Sequence, residues 1–159
     1  MINENYDKLI QYALRILSKK SYTESEMRKK LARYANKRNI TGENYIESVI
    51  DRLFELDYLD DSQFVKNYVR QRINIKPRGK ALIKRELLLK GVSQTLIENI
   101  YREIEIDEVK MAIDLLSSRL PRLMKYPIKK QKGKAYQFLY SKGFAKDAIY
   151  KAIESCYTL

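Results

Sequence analysis

Histidine is absent from this 159-residue chain. That removes the commonest general base and the commonest metal ligand together. Cysteine occurs once, as Cys156, so no intramolecular disulfide can form and a reducing compartment fits best. Cys156 itself reads as a small apolar residue on the last helix. Glycine (5) and proline (3) are scarce, and long stretches alternate apolar and charged residues at helical spacing, so an all-α protein is expected. No apolar run approaches the ~20 residues of a membrane span. No signal-peptide core opens the chain either: Met1-Ile-Asn-Glu4 is expected to run straight into the first helix, and a cytoplasmic location follows as the expectation. Gly-rich phosphate loops, Ser/His/Asp sets and Cys/His ligand spacings are all missing. The chain is therefore expected to have no catalytic residue, no metal site and no cofactor.

What the chain does have is a recurring phrase. An apolar and basic run at helical period closes at a Lys-Gly step, and a short apolar helix follows. It reads Ile83-Lys-Arg-Glu-Leu87-Leu-Leu-Lys90-Gly91-Val92, then Ala135-Tyr-Gln-Phe-Leu139-Tyr-Ser-Lys142-Gly143-Phe144. A glycine-free copy stands earlier, at Met27-Arg-Lys-Lys-Leu31-Ala-Arg-Tyr34-Ala-Asn36. Leu31, Leu87 and Leu139 recur at a period of roughly 50 residues, the mark of stacked units each too small to bury its own face. Three tandem three-helix repeats, nine helices in an elongated and curved array, are expected at 1–58, 59–106 and 107–159.

Repeat one should hold helices near 5–18, 23–36 and 41–56. Leu9, Ala13 and Ile16 line the first. Thr23-Glu-Ser-Glu26 reads as a capping box opening the second, and Asn36 as its left-handed terminator. In repeat two, Asp60 is the expected N-cap with Gln63 at N3, and Leu59 and Phe64 form a hydrophobic staple. The pair Asp60 and Asp61 suits the positive end of a helix dipole better than acid–base chemistry. Pro77-Arg-Gly79 breaks the chain before the next helix, which ends at Gly91, and Ser93 caps the one after. Repeat three is expected to have helices near 107–119, 134–141 and 145–157, with a long basic connection from Pro121 to Gly133.

Net charge is +12, a property that speaks about partners and not about fold. From Lys66 to Lys90 nine basic residues stand against one acid, Glu86; from Arg119 to Lys134 seven stand against none. Isolated helices usually offset lysine with glutamate one turn away, and here that local offset is missing. Several of the thirteen tyrosines lie beside these charges, Tyr68, Tyr126, Tyr136 and Tyr140 among them. Such rings stack on bases or cover a protein surface, although most are expected at core edges.

The middle of the chain carries the most specific pattern: Leu59-Asp-Asp61-x-x-Phe64-Val-x-x-Tyr68-Val-Arg70-x-Arg72, then Gly79-x-x-x-Ile83-x-x-Glu86-Leu87-x-x-Lys90-Gly91-Val92. Repeat one adds Ala13-Leu-Arg15-x-Leu17 and Thr23-x-x-Glu26-Met27-x-x-Lys30-Leu31, and repeat three Phe138-Leu-x-x-Lys142-Gly143-Phe144. In these residues the chain resembles the RecX family, regulators of the RecA recombinase, over nearly its whole length. Two departures stand out. Asn36 replaces the glycine the family often has in repeat one, and Lys142 replaces the arginine of the usual Arg-Gly-Phe, giving up a bidentate fork. The resemblance implies a non-enzymatic modulator that binds the RecA–DNA filament in its groove and limits growth or promotes loss. The implied partners are RecA and its DNA filament, with weak binding to DNA, no membrane, and a monomeric state. The expected contact residues are Lys66, Arg70, Arg72, Arg78, Lys80, Lys84, Arg85 and Lys90 in the middle repeat, with Lys129, Lys130, Lys132 and Lys134 in the third. Three-helix units also resemble helix-turn-helix modules, so the rival expectation is a helical DNA-binding protein acting on nucleic acid directly.

Overall fold

A helix starts with amides that lack partners, and five helix starts in this chain carry a side chain that supplies one. The computed structural model describes residues 3–158; the expected lead-in at Met1 and Ile2 lies outside them. Among the described residues nine helices follow in order: α1 (Glu4–Leu17), α2 (Glu24–Lys37), α3 (Glu43–Glu55), α4 (Asp61–Asn74), α5 (Lys80–Leu89), α6 (Gln94–Glu103), α7 (Glu108–Leu123), α8 (Ile128–Ser141) and α9 (Lys146–Tyr157). No strand occurs among the described residues. The Thr23–Glu26 capping box forms on α2. Asp60 accepts from the Gln63 amide at 3.0 Å, Ser93 from Leu96 at 3.2 Å and Asp107 from Lys110 at 3.0 Å. Asn3 caps α1 through the Asn5 amide.

Apolar stripes at helical spacing turn one face of each helix inward, and the stripes meet in threes. Leu9, Met27, Leu31, Ile50 and Leu53 from α1–α3 form one core. Val65, Val69, Ile83, Leu87, Ile97 and Ile100 from α4–α6 form a second, and Leu116, Ala135, Leu139 and Ile149 from α7–α9 a third. Leu31, Leu87 and Leu139 are each fully buried. Measured from the N-cap, Leu31 and Leu87 match; measured from the C-cap, Leu87 and Leu139 match. The helix between them, α5, is simply one turn shorter than α2 and α8. Three small cores leave more surface than one large one. The chain exposes 10511 Å², against the roughly 8,300 Å² expected of a compact monomer of this mass.

The units join through the ends of their middle helices. At the C-terminal end of α8, the Lys142 carbonyl accepts from the Gly79 amide at 2.8 Å, just before α5 begins. At the other end of α5, the Lys90 carbonyl accepts from the fully buried Thr23 hydroxyl at 2.6 Å, at the start of α2. So α8, α5 and α2 meet end to end with the negative end of one dipole on the positive end of the next. Each joint has side-chain ties as well: the Lys80 amide donates to Glu108 at 2.6 Å, and Lys90 reaches Glu26 at 3.1 Å. Ile73 and Ile106 pack against both the second and third cores.

These joints account for the Lys-Gly step. Gly91 (φ 80°) and Gly143 (φ 85°) are left-handed helix terminators, but each is also pressed by the neighbouring unit. A Cβ at Gly91 would meet Ser25 at 2.3 Å, and one at Gly143 would meet Leu82 at 2.3 Å. Among the described residues the end of α2 meets no further unit, and there the left-handed residue is not a glycine. It is Asn39 (φ 53°) and not the expected Asn36. The Ile40 amide closes back onto the Ala35 carbonyl at 2.9 Å, and Ile40 packs on the core, which carries the helix one residue past Asn36, to Lys37, with Arg38 as its C-cap.

Repeat three departs further from expectation. α7 continues past Pro121 to Leu123, because Leu123 is 5% exposed and its burial outweighs the one backbone bond a proline removes. α8 starts at Ile128 and not at 134, with Pro127 at its N-cap setting the first φ at −57°. The expected long basic connection is therefore two more turns of helix, with only residues 124–127 between α7 and α8.

One carboxylate at the first joint gives a pH-dependent test. Asp61 accepts from the Glu24 amide at 2.9 Å, with Glu24, Asp60 and Glu26 nearby. Burial, and then those neighbouring acids, push its carboxyl above the usual carboxylate range in spite of the bond it accepts. A raised folded value means its contribution is complete below the ordinary carboxylate range and is lost as pH rises through the folded value. Asp61→Asn keeps an acceptor and removes the charge. In urea melts it should be more stable than wild type at neutral pH, with the difference closing as pH falls through the raised folded value and gone below about 4.

Candidate functional site

Cations counted along a sequence are not the cations a surface offers, because partners arrive from other helices. On α4, Lys66 pairs with Glu103 of α6 at 3.2 Å. Arg72 donates to Glu86 of α5 and to the Tyr68 hydroxyl, both at 3.0 Å, and is only 19% exposed. Lys84 on α5 pairs with Glu98 of α6 at 3.3 Å, and Lys90 with Glu26 of α2 while lying over the Phe64 and Tyr68 rings. Burial, and then the bond to Glu86, pushes the Tyr68 hydroxyl above its ordinary value. The Glu98 carboxyl is held below its ordinary value by Gln94 and then by Lys84. Four of the eight expected middle-repeat residues are thus tied into the fold.

The other four remain available. Arg70, Lys80 and Arg85 are exposed, and no ion pair engages their side chains among the described residues. Arg78 is half-buried and donates to its neighbour's carbonyl at Pro77. Arg85 shares a cleft of about 220 Å³ with Leu82, Tyr140 and Phe144, across the joint between the second and third units. Of the expected contact residues Lys66, Arg70, Lys80 and Lys84, Lys66 and Lys84 each carry a carboxylate.

The third unit differs. No ion pair engages Lys129, Lys130, Lys132 or Lys134 among the described residues. Lys130 and Lys134 lie over the Tyr126 ring at 5.2 and 4.6 Å, and Lys132 over Tyr157 at 5.8 Å. Lys125 approaches Tyr126 as well, at 5.2 Å, and Arg119 lies over Phe138 at 4.9 Å. Between the end of α7 and the side of α8 a cleft of about 610 Å³ opens, lined by Arg119, Arg122, Lys125, Tyr126, Lys134 and Phe138 with no carboxylate. Sequence reasoning marked the cations here and noted Tyr126 beside them, but left it off the expected contact residues and passed over Phe138. The available signal was aromatic rings set between basic residues.

These features define a class: an all-α protein of tandem three-helix units joined end to end, with unpaired cations on its second and third units. No helix among the described residues is long and apolar enough to cross a membrane, and no acidic or cysteine cluster there could hold a metal ion. Models of the second and third three-helix domains of RecX match residues 60–99 and 105–153. The chain is 33% identical over 137 residues to the regulatory protein RecX of Haemophilus influenzae strain PittEE, spanning 86% of each. It is 34% identical over 154 residues to the regulatory protein RecX of Escherichia coli strain SE11, covering 91% of this chain and 89% of that one. The crystal structure of RecX from Lactobacillus salivarius superposes with a TM-score of 0.82 at 26% identity, covering 98% of this chain and 99% of the other. The chain belongs to the RecX family.

Proposed function

We propose that this protein regulates the RecA recombinase without catalysing a reaction. In this reading it binds the RecA–DNA filament in its helical groove and limits filament growth or promotes its loss. Its three units, at 1–58, 59–106 and 107–159, act as a linked monomeric array in the cytoplasm. Membership of the RecX family along most of the chain is the observation that carries the reading. The unpaired cations support it. Arg70, Arg78, Lys80 and Arg85 on the second unit, and Lys129 to Lys134 on the third, sit on separate three-helix units that would touch neighbouring filament subunits together. Linked weak contacts of that kind gain effective concentration without any single strong one. Lys66, Arg72, Lys84 and Lys90 then act mainly by holding the middle unit in shape. The test is DNA-dependent ATP hydrolysis by RecA with increasing amounts of the protein. Falling hydrolysis at substoichiometric protein supports the reading, and unchanged hydrolysis at excess protein contradicts it.

A further inference from the structure

The cleft between α7 and α8 is assembled at an electrostatic cost that no lining carboxylate offsets. Three ammonium groups, those of Lys125, Lys130 and Lys134, converge on the single Tyr126 ring at 5.2, 5.2 and 4.6 Å. No two of them can stand farther apart than roughly one Debye length, ~10 Å at 0.1 M salt. Elsewhere the chain places glutamates against such lysines, as at Lys66, Lys84 and Lys90; here no carboxylate lines the cleft. Lys129 and Lys130 also sit in the first turn of α8, which carries no acid, so they stand at the wrong end of its dipole. The turn that presents Tyr126 is nevertheless fixed, by the Gln131 side-chain amide donating to the Tyr126 carbonyl at 2.7 Å. An aromatic ring on a fixed turn, surrounded by cations that no lining carboxylate neutralises, suits an anion with a flat face.

We propose that this cleft binds single-stranded nucleic acid, with the phosphates against Arg119, Arg122, Lys125 and Lys134 and a base stacked on Tyr126. The interleaving of rings and cations selects this occupant. Phosphates that draw the ammonium groups off Tyr126 uncover its ring for a base on the same strand; an acidic peptide would draw them off with nothing to stack in their place, and a duplex keeps its base faces stacked on one another. The proposal deepens the function proposed above by giving the third unit's cations to the DNA strand, leaving the second unit's to RecA. It is tested without RecA, so its failure leaves inhibition of RecA to be judged by itself.

The probe is a labelled oligothymidylate of about 16 nucleotides, titrated by fluorescence anisotropy with the full chain at about 50 and 200 mM salt. Tyr126→Leu should weaken binding by roughly ten- to a hundredfold, whereas Tyr126→Phe should stay within about twofold, because the stacking face survives. Lys125→Gln with Lys134→Gln should flatten the logarithmic salt slope by about 1.4, the share of two phosphate contacts on a single strand. That double variant should melt no lower than wild type, since it removes repulsion, and it carries the test if Tyr126→Leu fails to fold. Unchanged affinity in all variants overturns the proposal. So does a duplex of equal charge bound as tightly as the single strand, or an oligoglutamate bound more tightly than either.

Discussion

Gly143→Ala is expected to cost about 2–4 kcal/mol, and it should do so by prising the second and third units apart. An L-residue at φ 85° is strained by ~1–2 kcal/mol whatever its surroundings. The new Cβ would also stand 2.3 Å from the Leu82 Cβ and 2.7 Å from the Leu82 nitrogen, inside contact distance of the first turn of α5. Relieving that overlap moves α8 away from α5 and lengthens the bond from the Gly79 amide to the Lys142 carbonyl, now 2.8 Å. For a chain of this size the melting temperature should fall by roughly 5–15 °C. Gly133→Ala is the control. It lies inside α8 with open space around its Cβ position, so the substitution should stabilise by about 0.5–1 kcal/mol. Equal melts for Gly143→Ala and wild type would show that the middle helices do not abut as described.

The second large effect concerns activity. Arg70→Glu combined with Arg85→Glu should leave the fold intact, because both side chains are exposed and neither is ion-paired among the described residues. Exposed charges seldom contribute more than ~1 kcal/mol to stability. Inhibition of RecA-driven ATP hydrolysis and strand exchange should nonetheless weaken at least tenfold, about 1.4 kcal/mol of lost binding. Reversing Lys66 and Lys84 is a different experiment. It would set like charges against Glu103 and Glu98, so any loss of function would be mixed with a change in the middle unit. A folded Arg70/Arg85 variant that inhibits as wild type does would move the contact surface off the second unit and onto residues 119–134.

Much of the fold was legible because its causes are local. Thr23 with Glu26, Asp60 with Gln63, and Ser93 with Leu96 each satisfy amides within three residues, so their caps can be read directly. Core positions at helical spacing could be read the same way. The failures are places where a distant contact outvoted a local preference. Pro121 signals an end to α7, but burial of Leu123 carries the helix on. Gly133 is the exception, where the stronger signal was itself local: Pro127 had already started α8. At the site the limit was the same. Only Glu86 lies among the cations from 66 to 90, whereas the structure brings Glu26, Glu98 and Glu103 to Lys90, Lys84 and Lys66 from other helices. Gly91 and Gly143 could be read as helix terminators, but their second constraint comes from Ser25 and Leu82, far away in sequence.

The most direct test of filament recognition compares two affinities at one salt concentration: the chain for an assembled RecA filament on single-stranded DNA, and the chain for the same DNA bare. If protein contacts from the second unit add to phosphate contacts from the third, the filament should bind more tightly and with a shallower dependence on salt. Binding to bare DNA should be weak and fall steeply, by about 0.7 logarithmic units per phosphate contact on a single strand. Equal affinities with equal slopes would mean that the phosphates supply all the binding. The chain would then be a nucleic-acid-binding protein and not a reader of the filament.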